Sequence, residues 1–448
     1  MTKTVAGIAA EVREGRRSAE AVLAECLTRI DDPAGEGAAV FREVSRTTAR
    51  ATATVVDQLH AAGVPLPPLA GVPISVKDLF DVSGERTLAG SLALREREPA
   101  TRDAPAIARL RQAGALLVGR TNMTEFAYSG LGLNPHYGTP ANPFDRSTRR
   151  IPGGSSSGAA VSVADRMAYA GLGSDTGGSC RIPAALCGIT GFKPTQRRIS
   201  REGVEPLSSS YDTVGAMAAT VGCCALLDAV MAGEPSPGLD ERREDHLRLL
   251  LPTNVVVEDL DEATGAAFDH ALRTLSASGV AVEGLRFEPL VSMPDMVVNG
   301  GIQGAEAYAH HRPIIQAHRD EYDPRVLARI ELAAAQNAAD YVDLCALRRA
   351  LGAEADRVTA DFDAVVLPTT PVTAPPESSL ADYEEYLRMN RLMLRNTSVA
   401  NILDRPAISL PCHEPGTAPV GLMLIGHAGR DRDLFAVANA VERVLARG

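Results

Sequence analysis

Three short stretches of the chain carry residue types suited to nucleophilic chemistry. The first is Gly153-Gly-Ser-Ser-Ser-Gly158, entered through a loop with Pro140, Pro143 and Pro152. The second is Gly173-Ser-Asp-Thr-Gly-Gly-Ser-Cys-Arg-Ile-Pro183, and the third is Val72-Pro-Ile-Ser-Val-Lys77. A Gly/Ser run has three readings: a linker, an anion-binding loop, or a turn that presents a serine. The anion-binding reading rests on the N–H groups such turns expose. Neither phosphate fingerprint is present, because no Lys-Ser/Thr follows Gly153–Gly158 and no GxGxxG follows a strand. Regular strand and helix patterns on both sides argue against a flexible linker. Spacing alone leaves nucleophilic catalysis as one reading among these.

A serine hydroxyl is a poor nucleophile until a neighbour takes its proton. Lysine does this only when neutral, and at its reference pKa of about 10.4 only a few molecules in ten thousand are neutral at pH 7. Burial beside apolar neighbours lowers that value by several units. Such a lysine has to be placed by a rigid element. Val72, Ile74 and Val76 alternate with Pro73, Ser75 and Lys77, which predicts a strand with a polar face and Lys77 near its end.

The surrounding elements read as α/β. The first 60 residues read as helices, with Ser18 as an N-cap and Val22, Cys26 and Ile30 on one stripe. Asp103 is placed to cap a helix through Ile107 and Leu110 that stops at Gly114. Strands are expected at Ala115–Val118, Ala168–Leu172, Ala364–Leu367, Ala407–Leu410 and Val420–Ile425, and a one-sided helix at Leu434, Val437, Val441 and Val444. Gly233, Pro235, Pro237 and Gly238 mark a break. Beyond it, residues 230 to about 360 are mostly Ala-rich and helical, with one strand expected at Val255–Val257. The expectation is one large mixed sheet flanked by helices, with a peripheral helical layer, in a single domain over 1–448.

Composition bounds the partners. The formal charge of −11 argues against a broad basic surface for nucleic acid or anionic lipid. Arg146, Arg149 and Arg150 read as solvated loop charges. No stretch is long and apolar enough to span a membrane, and no signal-peptide pattern opens the chain. Seven scattered cysteines without a CxxC pair suit reduced thiols in a cytoplasm. The nine histidines show no HExxH or HxH spacing, so no metal or other cofactor is expected. His310 and His311 are adjacent, which on a helix points them about 100° apart.

The stretch from Leu69 to Thr195 resembles the amidase signature family. The segments that carry the resemblance are GVPISVKD (71–78), GRTNMTEFA (119–127), GGSSSGAA (153–160) and GSDTGGSCRIPAALCGITGFKPT (173–195). Weaker similarity continues through YDTVG (211–215), VVLPTTPV (365–372), NILDRPAISLP (401–411) and PVGLMLIG (419–426), with the signature region at about 69–220. The family's two catalytic serines lie 24 positions apart, and here 179 − 155 = 24.

The resemblance implies Ser179 as acylating nucleophile, Ser155 as bridging serine behind a cis Gly154–Ser155 peptide, and Lys77 as base. It further implies an oxyanion hole from the backbone N–H groups of Thr176, Gly177, Gly178 and Ser179, and substrate contacts at Met123, Tyr128 and Ser156. Asp175 and Arg181 are expected to pair and fix the loop. Phe126 reads equally as pocket or core, and Cys180 as small-residue packing. Thr124 stands where many relatives carry Asp. The implied activity is hydrolysis of a small-molecule carboxamide with release of ammonia or an amine, compatible with a homodimer. The alternatives are the glutaminase (A) subunit of a tRNA-dependent amidotransferase, from which SSSYDTVGAM (208–217) departs, and a catalytically silent binding protein on the same fold.

Overall fold

The computed structural model describes residues 4–235 and 238–447; Pro237, one of the break residues, lies outside them. Eleven strands are formed among the described residues: β1 Phe41–Val44, β2 Pro73–Lys77, β3 Leu116–Thr121, β4 Ala170–Asp175, β5 Thr190–Lys193, β6 Thr213–Ala218, β7 Arg248–Pro252, β8 Ala281–Leu285, β9 Ala364–Pro368, β10 Ala407–Pro411 and β11 Gly421–Ile425. They join into one mixed sheet in the order β1-β3-β2-β4-β6-β5-β10-β11-β9-β7-β8. In β2, β3, β4, β5, β6, β9 and β11 every position is buried. Both faces of the sheet's centre are therefore covered, which explains why these strands read as apolar runs as often as alternating ones. Each buried Val, Leu or Ile removes apolar surface worth about 1.5–3 kcal/mol from water.

The helix Ala19–Ile30 begins at Ser18, whose side chain accepts the Ala21 N–H, and its Val22, Cys26 and Ile30 stripe is buried. The C-terminal helix Asp431–Leu445 buries Leu434, Val437, Val441 and Val444 in the same way. Arg146, Arg149 and Arg150 sit beside Asp165, Glu377 and Asp145 respectively. No helix among the described residues is long and apolar enough to cross a membrane.

Three local expectations fail. The first 60 residues are not all helical, because Phe41–Val44 pairs antiparallel with β3 and forms the sheet's edge. Asp103 is not the cap of the helix Pro105–Gln112; that helix starts on Ala104 with Pro105 in its first turn. The Asp103 carboxylate instead accepts the Ser83 N–H at 2.8 Å and pairs with Arg111 at 3.0 Å. Val255–Val257 is not a strand. Leu249, Leu250 and Leu251 take the strand just before it, and Val255 adopts a φ of 60° in the turn that follows. The peripheral region thus contributes β7 and β8 to the sheet as well as helices, both running parallel to their neighbours.

The centre of the sheet tolerates no added side chain at Gly215 on β6. A Cβ there would fall inside van der Waals contact of the Phe192 carbonyl oxygen and lie 2.9 Å from Cys180 Sγ. That carbonyl belongs to β5, whose Phe192 pairs with Ala216, so it cannot move without breaking the ladder. Gly215→Ala is expected to destabilise the fold by about 3 kcal/mol, read as a lowered urea midpoint. A midpoint equal to wild type would contradict this packing.

Candidate active site

β2 and β4 are adjacent and parallel, registered from Ile74↔Ala170 to Val76↔Leu172. Their C-terminal ends therefore open at one edge of the sheet, where α/β folds place ligands. Lys77 ends β2 and is fully buried. Its Nζ lies 2.7 Å from Ser155 Oγ and 2.8 Å from Ser174 Oγ. Among the described residues it has no ion pair. The next residue, Asp78, is turned away and held by Arg42 and Arg120, each at 2.6 Å. Burial pushes the Lys77 amine down to about 8, against an opposing pull from nearby Asp175 and Asp212. Two hydroxyl partners suit a neutral amine, which has two N–H groups and a lone pair; an ammonium would bring a third N–H to satisfy.

Ser155 stands just before the helix Ser157–Ala164, and the Gly154–Ser155 peptide is cis. Its segment is pinned by Gly154 N–H donating to Gly130 O at 2.8 Å and Thr124 N–H donating to Ser155 O at 3.1 Å. Ser179 lies between β4 and the helix Arg181–Leu186 and is 4% exposed. The two serine segments are joined by Ser156 N–H donating to the Ser179 carbonyl at 3.3 Å. Cys180, beside Ser179, is fully buried, and burial pushes its thiol well above its ordinary value. A Cβ at Gly173 or Gly215 would come within 2.9 Å of its Sγ, so Cys180 is a packing residue under the sheet.

The loop 175–179 is shaped by one carboxylate. Asp175 pairs with Arg181 at 2.8 Å, both fully buried. It also accepts from Asn401 Nδ2 at 2.9 Å and from the backbone N–H groups of Gly178 and Cys180 at 2.9 and 3.1 Å. Burial alone would raise the Asp175 pKa, but Arg181 and these donors outweigh it and hold the group at about 2. Gly178 has a φ of 136°, and a Cβ there would overlap the Thr397 side chain, so only glycine fits. The Gly178 N–H, expected as an oxyanion donor, donates to Asp175 Oδ1 in this structure. On the far side of the loop, Thr176 Oγ1 donates to Asp212 at 2.6 Å.

The expected substrate residues Met123, Tyr128 and Ser156 are all buried. Ser156 is fully buried, its hydroxyl donating to Ser174 O at 3.4 Å. Met123 is also fully buried, with Cγ packed against Gly90. Tyr128 lies under the Arg329 guanidinium, 4.3 Å from the ring centroid, with its hydroxyl facing Gly304. Phe126 packs edge-on against His311 and tilted against Tyr322, which makes it core. Sequence reasoning gave no role to Ser174, Asp212 or Asn401. Ser174 and Asp212 lie inside quoted motifs, and the alternation of β4 puts Ser174 on the Lys77 side; Asn401 had no local signal.

The amidase family model matches residues 21–435, and the chain belongs to this family, whose members hydrolyse carbon–nitrogen amide bonds. A 2-amino-5-chloromuconic acid deaminase of Comamonas testosteroni is 36% identical over 406 residues, covering 89% of this chain and 87% of that protein. A glutamyl-tRNA(Gln) amidotransferase subunit of Thioalkalivibrio sulfidiphilus is 33% identical, covering 99% of this chain and 97% of its own. A crystal structure described as an amidase superposes with a TM-score of 0.89 at 31% identity, over 98% of this chain and 99% of its own.

Removing Arg181 leaves Asp175 buried without its counter-charge. Arg181→Ala is expected to cost about 3–5 kcal/mol at pH 7, measured by urea unfolding. Because the folded Asp175 pKa lies below the unfolded value of about 3.9, the wild-type contribution is present above pH 4 and fades as pH falls toward 2. An Arg181→Ala protein within about 1 kcal/mol of wild type, short of the 3–5 kcal/mol of a broken buried pair, would contradict this assignment.

Proposed function

We propose that this chain hydrolyses a small-molecule carboxamide through an acyl-enzyme on Ser179, with Ser155 and Lys77 as a proton relay. The observation that carries the reading is a fully buried Lys77 that, among the described residues, contacts two hydroxyls and no carboxylate. Neutral Lys77 draws the Ser155 proton, Ser155 draws the Ser179 proton, and Ser179 Oγ attacks the carbonyl carbon. The negative charge that develops on the carbonyl oxygen is met by the backbone N–H groups of Thr176, Gly177 and Ser179, since Gly178 is spent on Asp175. Collapse of the tetrahedral intermediate breaks the C–N bond. The leaving nitrogen takes its proton from Ser155, which is resupplied by Lys77. Water then repeats the sequence on the ester, releasing the acid and restoring Ser179.

Ser174 has a clear part in this scheme. It gives the Lys77 amine a second hydroxyl partner that does not take part in transfer, so the lone pair stays aimed at Ser155. The named activity of the deaminase relative, on a small organic acid, supports a small-molecule substrate here. The similarity to the amidotransferase supports glutamine as the second substrate to test. Seven free thiols suit a reducing, cytoplasmic setting.

Ammonia release is to be screened across aliphatic, aryl and carbamoyl amides, with glutamine included. Ser179→Ala is expected to fold and lose turnover by about a millionfold, and a fluorophosphonate should label the Ser179 peptide. Cys180→Ser should keep most activity. A dead Cys180→Ser protein beside an active Ser179→Ala protein would overturn the reading.

A further inference from the structure

The segment between β5 and β6 is gripped by the helix Gly301–His318 at two points one turn apart. Glu306 accepts from Ser208 Oγ at 2.5 Å, from Ser210 N–H at 2.9 Å and from Ser210 Oγ. A fourth donor, Tyr341 OH at 2.9 Å, comes from the helix Ala338–Thr359. One turn on, His310 Nε2 lies 2.7 Å from Glu205, while His311 turns away to Tyr322 at 3.0 Å. The segment so held closes on Asp212. Its Oδ2 accepts the Leu207 and Ser208 N–H groups at 2.9 and 3.0 Å, and its Oδ1 receives Thr176 Oγ1. Thr176 is the first residue of the loop that leads to Ser179.

A continuous hydrogen-bonded chain therefore runs from two helices of the peripheral layer to the loop beside the nucleophile. Its members are buried or half-buried. Asp175 and Arg181 hold that loop from behind; Asp212 holds it from the other side and, among the described residues, has no ion pair. One of the donors to the Asp212 carboxylate, Ser208, is itself held by Glu306. Of the four hydrogen bonds on the Glu306 carboxylate, three fall within the 208–210 turn.

We infer that Glu306 is a positioning residue for the reaction: through Ser208, Ser210 and Asp212 it fixes Thr176, and with it the N–H groups that face the reacting carbonyl. The inference rests on the Ser179 mechanism proposed above. Glu306 touches neither substrate nor nucleophile, so its loss acts on the geometry of the loop. A misplacement of about 1 Å from a change remote from the chemistry costs up to about a hundredfold in rate.

The test compares Glu306→Gln and Glu306→Ala with Thr176→Val, singly and with Glu306→Ala combined with Thr176→Val, on the best amide from the screen. The expected result is a fall in kcat of about 10- to 100-fold with KM nearly unchanged. The second-order rate of labelling by a fluorophosphonate should fall in parallel, since that probe needs the loop but not the amide pocket. The double variant should be no slower than the slower single one, because both changes act through the same loop. Wild-type kcat in both Glu306 variants, a loss confined to KM, or additive losses would each overturn the inference. Should Glu306→Ala fail to fold, Ser210→Ala and Tyr341→Phe each remove one bond to the carboxylate; a lowered kcat at constant KM in Ser210→Ala supports the inference, and wild-type kcat in both overturns it. Failure of the underlying mechanism reads differently: there Ser179→Ala itself stays active.

Discussion

The structure turns on keeping an amine fully out of water without a counter-charge. Among the described residues Lys77 has only Ser155 and Ser174 as hydrogen-bond partners, and an isolated ammonium in such a place would be far costlier than a neutral amine. The protein therefore has to keep carboxylates from reaching it. Asp78 follows directly in sequence, yet Arg42 and Arg120 take both its oxygens. Asp175 ends the neighbouring strand, yet Arg181 and Asn401 absorb it. Asp212 is occupied by Thr176 and two backbone amides. Asp78, Asp175 and Asp212, whose charges would favour a protonated lysine, are thus each committed to other partners.

The same commitments build the second half of the site. Holding Asp175 requires the backbone to fold back on it, and the Gly178 and Cys180 amides do so. That fold demands a φ only glycine takes easily at 178. One buried ion pair thereby serves two ends: it removes a negative charge from the lysine's surroundings and shapes the loop that carries Ser179. Such pairs contribute little net stability over apolar packing but are costly to break singly.

Much of this was legible in the sequence because it is local. Alternation placed Lys77 on a strand end, and the glycine-flanked serines lie on loops beside that strand. Ser18 announced its helix, and the Asp175–Arg181 pair followed from proximity in the chain. What was not legible depends on distant partners. Phe41–Val44 becomes a strand only because β3 is there to pair with it. Asp103 had a cap's position but a better partner in Arg111. Val255–Val257 had strand composition, but the leucines before it took the place in the sheet between β9 and β8. The Gly178 amide could not be read from the motif, since its acceptor is fixed only once Asp175 is buried. Asn401 and Glu306 act across more than ninety positions of sequence, where no spacing rule reaches.

The most direct measurement is the pH dependence of kcat/KM for acylation. In the proposed mechanism turnover needs neutral Lys77, whose value burial lowers to about 8, so the rate should rise with pH through about 8 and stay high above it. Lys193 is also buried, and burial with Arg181 brings it to about 8, so the profile of Lys77→Ala has to be compared. That variant should lose several orders of magnitude in rate and the rising limb with it, and Lys77→Arg should not restore it, because guanidinium stays protonated. A wild-type profile limited by one group near 6.5, with its shape unchanged in Lys77→Ala, would contradict the account.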